Sequence, residues 1–243
     1  MGSLEIRYYG LVYFLGFLFI YFFLRYYAKK GLIKNLTEEK VDTFIIYGFL
    51  GLLIGARLFT FLFYHPQTFL YDPLVLFKLW QGGMSFHGGL VGVVVAGYLF
   101  SKKHNINFYS LADLIVIPSA IIVFFGRIAN FLNAELPGKV TTTVLCVEYP
   151  NHDISGCRHP YVLYEGFKNL ILGIVLYFFY QTKKFKEGVI FWSFIFLYAF
   201  LRFFIDFLRE EPTWLGISMG QFLSVTFIIV SLYFLFSYKK LKR

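Results

Sequence analysis

Seven apolar stretches, each near the length of about 20 residues that crosses a bilayer as a helix, recur from one end of the chain to the other. They cover residues 9–28, 43–64, 83–101, 111–133, 161–181, 188–208 and 219–238. In hydrocarbon every backbone polar group must be satisfied internally, and a helix achieves this within its own segment. What lies between the stretches is too short for a soluble domain. Charged residues make up 15% and hydrophobic residues 58% of the chain, whereas soluble chains carry about 25% charged residues. The expectation is an all-α polytopic membrane protein with seven transmembrane helices. It would form a single membrane-embedded domain over 1–243, with a small outer cap at about 134–160.

The lysines set the expected sidedness. Lys29, Lys30, Lys34 and Lys40, then Lys102 and Lys103, then Lys183, Lys184 and Lys186, and finally Lys239, Lys240, Lys242 and Arg243 share one side. Positive residues favour the cytoplasm, so the N-terminus is expected outside and the C-terminus inside. Arg7, Lys78, Lys139, Arg158 and Arg209 fall on the outer side. The net charge of +9 reflects this bias and an anionic inner leaflet, so no nucleic-acid partner is read from it. The first apolar run is about twice the length of a signal-peptide core, lacks a small-residue cleavage site and has its basic residues after it. It is expected to be retained.

The two cysteines, Cys146 and Cys157, fall in the outer loop between the fourth and fifth stretches. An oxidising compartment permits a disulfide there, but sequence supplies no geometry and the pairing stays open. No metal-ligand spacing stands out. The absence of a G-x-S-x-G elbow, an H-E-x-x-H helix and a Walker loop removes the usual parts of a serine hydrolase, a zinc protease and a nucleotide-driven pump. The segment 72–80 (DPLVLFKLW) reads as an interfacial helix, and 141–147 (TTTVLCV) as a short strand or hairpin.

Ionisable residues inside the apolar stretches cost roughly 2.5–3.5 kcal/mol each on insertion scales, so they need a reason. Arg127 and Asn130 lie on one helical face near the end of the fourth stretch, with Glu135 just beyond. They fit two roles: a buried Arg–Glu pair bridged by asparagine, or spare guanidinium donors for a phosphate. Tyr198, Arg202, Asp206 and Arg209 form a second stripe at i, i+4, i+8 and i+11, where self-neutralisation within the helix is the alternative to ligand binding. In 82–92 (GGMSFHGGLVG), Gly88 and Gly92 form a helix-packing spacing. The same glycines could clear room for a lipid, with His87 as a base or proton relay. Arg57 is a further intramembrane cation, with no partner nearby in sequence.

The segments 82–92 (GGMSFHGGLVG) and 126–135 (GRIANFLNAE) closely resemble the signatures of the bacterial prolipoprotein diacylglyceryl transferase family. The resemblance continues in order through 7–13 (RYYGLVY), Gly55 to Arg57, Asp72 to Leu74, Arg158 to Pro160 with Tyr164 and Glu165, 198–212, and 217–221 (ISMGQ). It implies a seven-helix enzyme of the bacterial cytoplasmic (inner) membrane. Such an enzyme moves the diacylglyceryl group of phosphatidylglycerol onto the lipobox cysteine of a prolipoprotein, the first step of lipoprotein maturation. On this resemblance the catalytic residues are His87, Arg127 and Arg202. The substrate-binding residues are Tyr9, Arg57, Gly88, Gly89, Asn130, Glu135, Gly138, Tyr198 and Asp206. No metal or other cofactor is expected; the partners are phosphatidylglycerol, the lipobox segment and membrane lipids. The glycine face from Gly88 to Gly92 would admit the acyl chains. The chain departs from the family pattern at Ala134, Pro137, Lys139 and Asp206, where glycine, tryptophan, arginine and glutamate are usual. A channel or transporter for anionic solutes or lipids, and a non-catalytic lipid-binding relative, would use the same cations differently.

Overall fold

Helices α1 (Tyr8–Lys29), α2 (Glu38–Phe59), α3 (Pro66–Tyr71), α4 (Phe86–His104), α5 (Phe108–Leu132), α6 (Tyr161–Gln181), α7 (Val189–Ile205) and α8 (Met219–Lys240) carry most of the chain. Two antiparallel hairpins accompany them, β1 (Val147–Tyr149) with β2 (Ile154–Arg158), and β3 (Thr213–Trp214) with β4 (Ile217–Ser218). The structure is a computed structural model that describes residues 8–149 and 154–240. Arg7, Lys242 and Arg243, used above for sidedness, lie outside the described residues.

Among the described residues, six helical stretches are long and apolar enough to cross a membrane: Gly10–Lys29, Glu38–Tyr64, Phe108–Leu132, Tyr161–Gln181, Val189–Leu208 and Met219–Ser237. They correspond to six of the seven expected spans. The remaining one coincides with α4, whose apolar character is diluted by His87, Lys102, Lys103, His104 and its glycines. Large apolar side chains such as Phe14, Phe22, Phe63, Phe178, Phe222 and Ile229 are exposed. Water would penalise so much exposed apolar surface, and lipid does not. The chain is a multi-pass, mostly helical membrane protein.

The chain divides into two compact units, Tyr21–Leu111 and Met1–Ile20 with Ala112–Arg243. In the Tyr21–Leu111 unit, α2 opens on Thr37, whose hydroxyl accepts from the Lys40 amide, with Glu38 and Glu39 at the positive end of the helix dipole. Ser85 caps α4 in the same way through the Gly88 amide, and Asn105 ends α4 in the left-handed region at φ 54°. Between them α2 and α4 meet backbone to backbone. A Cβ placed on Gly51 would stand 2.6 Å from both Ala96 Cβ and the Gly92 carbonyl oxygen, and one on Gly55 would stand 2.8 Å from Gly92 Cα. Only glycine allows that approach.

The stretch from Asp72 to Trp80 is not the single interfacial helix expected. It holds two 3-10 turns, Pro73–Phe77 and Leu79–Gln81. The cause is Arg57, which is 2% exposed and reaches into this stretch from α2. Its Nε donates to the Leu76 carbonyl at 3.2 Å and its Nη2 to the carbonyls of Val75 and Lys78, the latter at 3.0 Å. Its Nη1 donates to the carbonyls of Gly82 and Gly83, the latter at 3.3 Å. Carbonyls that the next turn of an α-helix would use are turned toward the guanidinium instead.

In the other unit, α6 approaches α5 through Gly173, where a Cβ would lie 2.9 Å from Ile121 Cγ1. Asp113 of α5 accepts from the Gly188 and Phe191 amides, both at 2.6 Å, and so caps α7, whose own N-cap glycine cannot. Trp192 of α7 stacks on Phe234 of α8 with centroids 4.1 Å apart. Ser218 and Gln221 satisfy each other's amides at the start of α8, at 2.9 and 3.1 Å.

The 134–160 segment carries the expected hairpin, shifted along the chain. Of the 141–147 run only Val147 enters a strand. The Cys146 amide bonds back to the Thr143 carbonyl at 3.0 Å and Cys146 is disulfide-bonded to Cys157, so the threonines turn where propensity alone would extend them. The segment is sewn to the end of α7: Gly138 pairs with Arg209, and the Lys139 amide donates to the Leu208 carbonyl at 2.8 Å. Arg158 braces it through the Gly138 carbonyl at 3.1 Å and an ion pair with Glu210. Burial pushes the Tyr149 phenol above its ordinary range, against the opposing charge of Arg158.

Candidate functional site

The fourth stretch of the sequence becomes α5, and its last turn arranges the polar residues as a relay. Arg127 Nη1 donates to Asn130 Oδ1 at 3.1 Å, and Asn130 Nδ2 donates to Glu135 Oε2 at 2.8 Å. Asn133 Nδ2 holds the other carboxylate oxygen at 3.1 Å. Glu135 reaches back because α5 ends at Leu132 and Ala134 turns left-handed at φ 51°. Arg127 and Glu135 are joined through Asn130, the asparagine-bridged pairing that the spacing offered as one of its two readings.

Helix α6 brings a third acidic group. Glu165 is 0% exposed, accepts from Lys168 Nζ at 2.7 Å and lies 3.9 Å from Arg127 Nη2. Gly166 makes room for this, since a Cβ there would stand 3.1 Å from Arg127 Cβ. Lys168 Nζ also sits 4.0 Å from the centre of the Tyr198 ring. On α7, Arg202 donates to the Tyr198 hydroxyl at 3.0 Å through Nη1 and to Asp206 Oδ2 at 3.4 Å through Nε. Asp206 accepts from the Tyr161 hydroxyl at 2.5 Å, and Gly220 leaves space beside it. The contacts run without a break from Arg127 through Glu165, Lys168, Tyr198, Arg202 and Asp206 to Tyr161.

The stripe expected on the sixth span stops one step early. Helix α7 ends at Ile205 and a 3-10 turn covers Asp206–Leu208, so Arg209 leaves the stripe and pairs with Glu211 at 2.8 Å. Gly138 is placed by contact with His159 and the Leu208 carbonyl oxygen, where a Cβ would stand 3.0 Å from that oxygen. Three residues of the network, Tyr161, Glu165 and Lys168, were not among the site residues expected from sequence. Their signal was present: with Asn169 they recur at i, i+4, i+7 and i+8, a polar stripe in an otherwise apolar helix.

Electrostatically the network holds three cations, Arg127, Lys168 and Arg202, against two buried carboxylates, Glu165 and Asp206, and the half-buried Glu135 that reaches Arg127 through Asn130. Arg127 and Arg202 keep about a fifth of their side-chain surface open, 19% and 21%. Arg127 Nε is buried without a hydrogen-bond partner among the described residues. Spare, fork-shaped donors of this kind match the oxygens of a phosphate. Alongside, α1 and α5 enclose an apolar groove of about 380 Å³, lined by Leu11, Leu15, Phe19, Ile122, Phe125 and Ile128 among others.

Arg57, His87, Gly88 and Gly89 belong to the Tyr21–Leu111 unit. A guanidinium has five N–H donors, and those of Arg57 are directed at five main-chain carbonyls, which gives it a scaffolding contact where the sequence reading expects a substrate contact. Gly88 is pressed against Phe59 and the Gly55 carbonyl, so the glycine face expected to admit acyl chains packs against α2. Gly89 is buried, with Leu52 the nearest neighbour a Cβ would meet, at 3.6 Å. His87 stands in the first turn of α4 with its side chain exposed. Tyr9 stands in the first turn of α1; its side chain lies outside the described residues. Among the described residues, no three His, Cys, Asp or Glu side chains come together as a metal site requires.

The model of the prolipoprotein diacylglyceryl transferase family matches residues 1–237. The phosphatidylglycerol-prolipoprotein diacylglyceryl transferase of Rickettsia bellii is 37% identical over 244 residues, covering 96% of this chain and 91% of the relative. The protein of the same name from Ehrlichia ruminantium is 39% identical over 241 residues (96% and 92%), and that from Bordetella avium 38% over 231 (93% and 87%). On this full-length similarity, the chain belongs to the prolipoprotein diacylglyceryl transferase family.

Proposed function

We propose that the chain transfers the diacylglyceryl group of phosphatidylglycerol to the thiol of a lipobox cysteine in prolipoproteins, the first step of lipoprotein maturation. The names of its relatives state the lipid and the protein substrate. The observation that carries the reading in this molecule is the network in which Arg127 and Arg202 both stay partly open, with Arg127 Nε lacking a hydrogen-bond partner among the described residues. In the reaction the substrate sulfur forms a bond to the glyceryl carbon while the bond from that carbon to the phosphate oxygen breaks. The thiol proton passes to a base, and glycerol phosphate leaves with one more negative charge than the phosphodiester had. Arg127 and Arg202 would hold the phosphate and stabilise that growing charge.

His87 would take the thiol proton, directly or through water, since a free thiol has a pKa near 8.5 and is mostly protonated at neutral pH. Asn130, Glu135, Tyr198 and Asp206 would orient the two arginines and the headgroup, Gly138 would fix the neighbouring loop, and Tyr9 would contact substrate. Arg57, with Gly88 and Gly89, would act by shaping the segment that carries His87. The α1–α5 groove suits an acyl chain. The phospholipid carries its own leaving group, so no metal, nucleotide or organic cofactor is needed. The enzyme would act as one membrane-embedded domain of seven spans, α4 included, in the bacterial cytoplasmic membrane. The lysine distribution supports an outer N-terminus, an inner C-terminus and an outer cap around 134–160.

The test is direct. Purified protein incubated with phosphatidylglycerol and a lipobox peptide should give the diacylglyceryl adduct by mass spectrometry. Absence of adduct where another transferase of the family works would refute the enzymatic reading and leave a lipid-binding or transport role.

A further inference from the structure

Lys168 is a buried cation for which the reaction has no stated use, and its surroundings define one. Its Nζ bonds one oxygen of Glu165 at 2.7 Å. The other oxygen, Oε2, is buried without a hydrogen-bond partner among the described residues and faces Arg127 Nη2 at 3.9 Å, beyond hydrogen-bond reach. Arg127 Nε is likewise unpartnered. A fully buried carboxylate therefore lies about one ångström of movement away from a two-pronged bond with Arg127, the arrangement that carboxylates and guanidinium groups form most strongly. Lys168 competes for that carboxylate.

We infer that Lys168 is a positioning residue that keeps Arg127 available to the phosphate by holding the charge of Glu165. This rests on the reading of Arg127 as a phosphate ligand. Without the Lys168 ammonium, Glu165 would be a buried anion with Arg127 its one remaining ion-pair partner among the described residues, and it would close on the donors that the phosphate needs. Glu165 is then an internal competitor of the substrate headgroup. Because the Arg127–Glu165 bond must be broken before lipid binds, and stays broken through the reaction, the loss falls on KM and leaves kcat nearly unchanged. Lys168 Nζ also covers the Tyr198 ring, whose hydroxyl accepts from Arg202, so the same ammonium borders the second arginine.

The experiment uses the full-length protein in detergent with phosphatidylglycerol and a lipobox peptide. Lys168→Met should raise KM for phosphatidylglycerol at least tenfold with kcat within threefold, and Lys168→Arg should stay close to the parent. The double variant Lys168→Met with Glu165→Gln removes the competitor and should bring KM back to within threefold of the parent. A purely structural role for Lys168 would leave the double variant no better than the single one, and that result overturns the proposal, as does an unchanged KM in Lys168→Met. If Lys168→Met does not fold, Lys168→Gln keeps an amide donor for Glu165 without the charge and should show the same raised KM; an unchanged KM there also overturns the idea. Calorimetric titration with dioctanoyl phosphatidylglycerol separates the two readings: a parent protein that binds this lipid but makes no adduct sinks the enzymatic reading, whereas equal affinity of parent and Lys168→Met sinks only the role of Lys168.

Discussion

Arg57 and Arg127 each place a guanidinium inside apolar helices, and the two units of the chain treat them in opposite ways. Arg57 directs its donors at the carbonyls of Val75, Leu76, Lys78, Gly82 and Gly83. Among the described residues Arg127 hydrogen-bonds Asn130, keeps Glu165 at 3.9 Å and leaves its Nε without a partner. Both carry the same insertion cost, so the difference lies in what recovers it. At Arg57 the protein's own backbone does so completely, and a loop acquires a fixed shape. At Arg127 the recovery is incomplete, which is the condition for binding an anion from outside the chain.

Substitutions can break this contrast from either side. Arg57→Met should destabilise the protein by about 3 kcal/mol, because five carbonyls, one in a buried and four in part-buried bonds, lose a charged donor at roughly 0.5–1 kcal/mol each. Arg57→Lys should rescue little, since an ammonium cannot reproduce the fork. Unfolding in detergent micelles measures both, and a stability equal to the parent would show that the 3-10 turns do not depend on Arg57. Arg127→Ala should leave the unfolding midpoint nearly unchanged while turnover falls roughly 100- to 1000-fold, the usual loss for one donor at developing charge. Turnover within tenfold of the parent would reassign Arg127 to the same structural class as Arg57.

The same pair shows what the sequence could and could not reveal. Spacing places Arg127 with Asn130 and Arg202 with Tyr198 and Asp206, because a regular helix carries residues three and four apart onto one face. The helical spans, the glycine seam between α2 and α4 and the hairpin near the cysteines follow from equally local signals. The partner of Arg57 was not legible, since backbone carbonyls have no sequence signature and the contacts reach 18 to 26 residues away. That long-range contact also replaced the expected helix at 72–80 with two 3-10 turns. The role of Glu165 and Lys168 was hidden differently. Their stripe on α6 is visible in sequence, but only packing against α5 shows that it meets Arg127.

A smaller effect concerns His87, in the Tyr21–Leu111 unit. His87→Ala should reduce turnover about 100-fold at neutral pH, within the usual range for a lost general base. The deficit should shrink as pH rises through about 8.5, where a free substrate thiol ionises without help. The sign follows from the thiolate fraction: below that pH the variant lacks both base and thiolate, and above it the thiolate is supplied by solvent. A pH-independent deficit would make His87 a residue that shapes α4 rather than one that moves a proton.

The smallest effect concerns how Glu135 is brought back to Asn130. Ala134 makes that turn at φ 51°, a conformation that costs an L-residue roughly 1–2 kcal/mol and glycine almost nothing. Ala134→Gly relieves that strain but loosens the unfolded chain, an opposing term of about 0.4–1 kcal/mol. The net gain should be near 1 kcal/mol or below, seen as a small rise in the unfolding midpoint. Turnover should hold or rise slightly, because the Asn130–Glu135 bond at 2.8 Å depends on this turn and not on the side chain at 134. A fall in stability would mean that the Ala134 methyl makes a contact worth more than the strain it imposes, and that the relay from Arg127 to Glu135 is held by packing at the turn as well as by its hydrogen bonds.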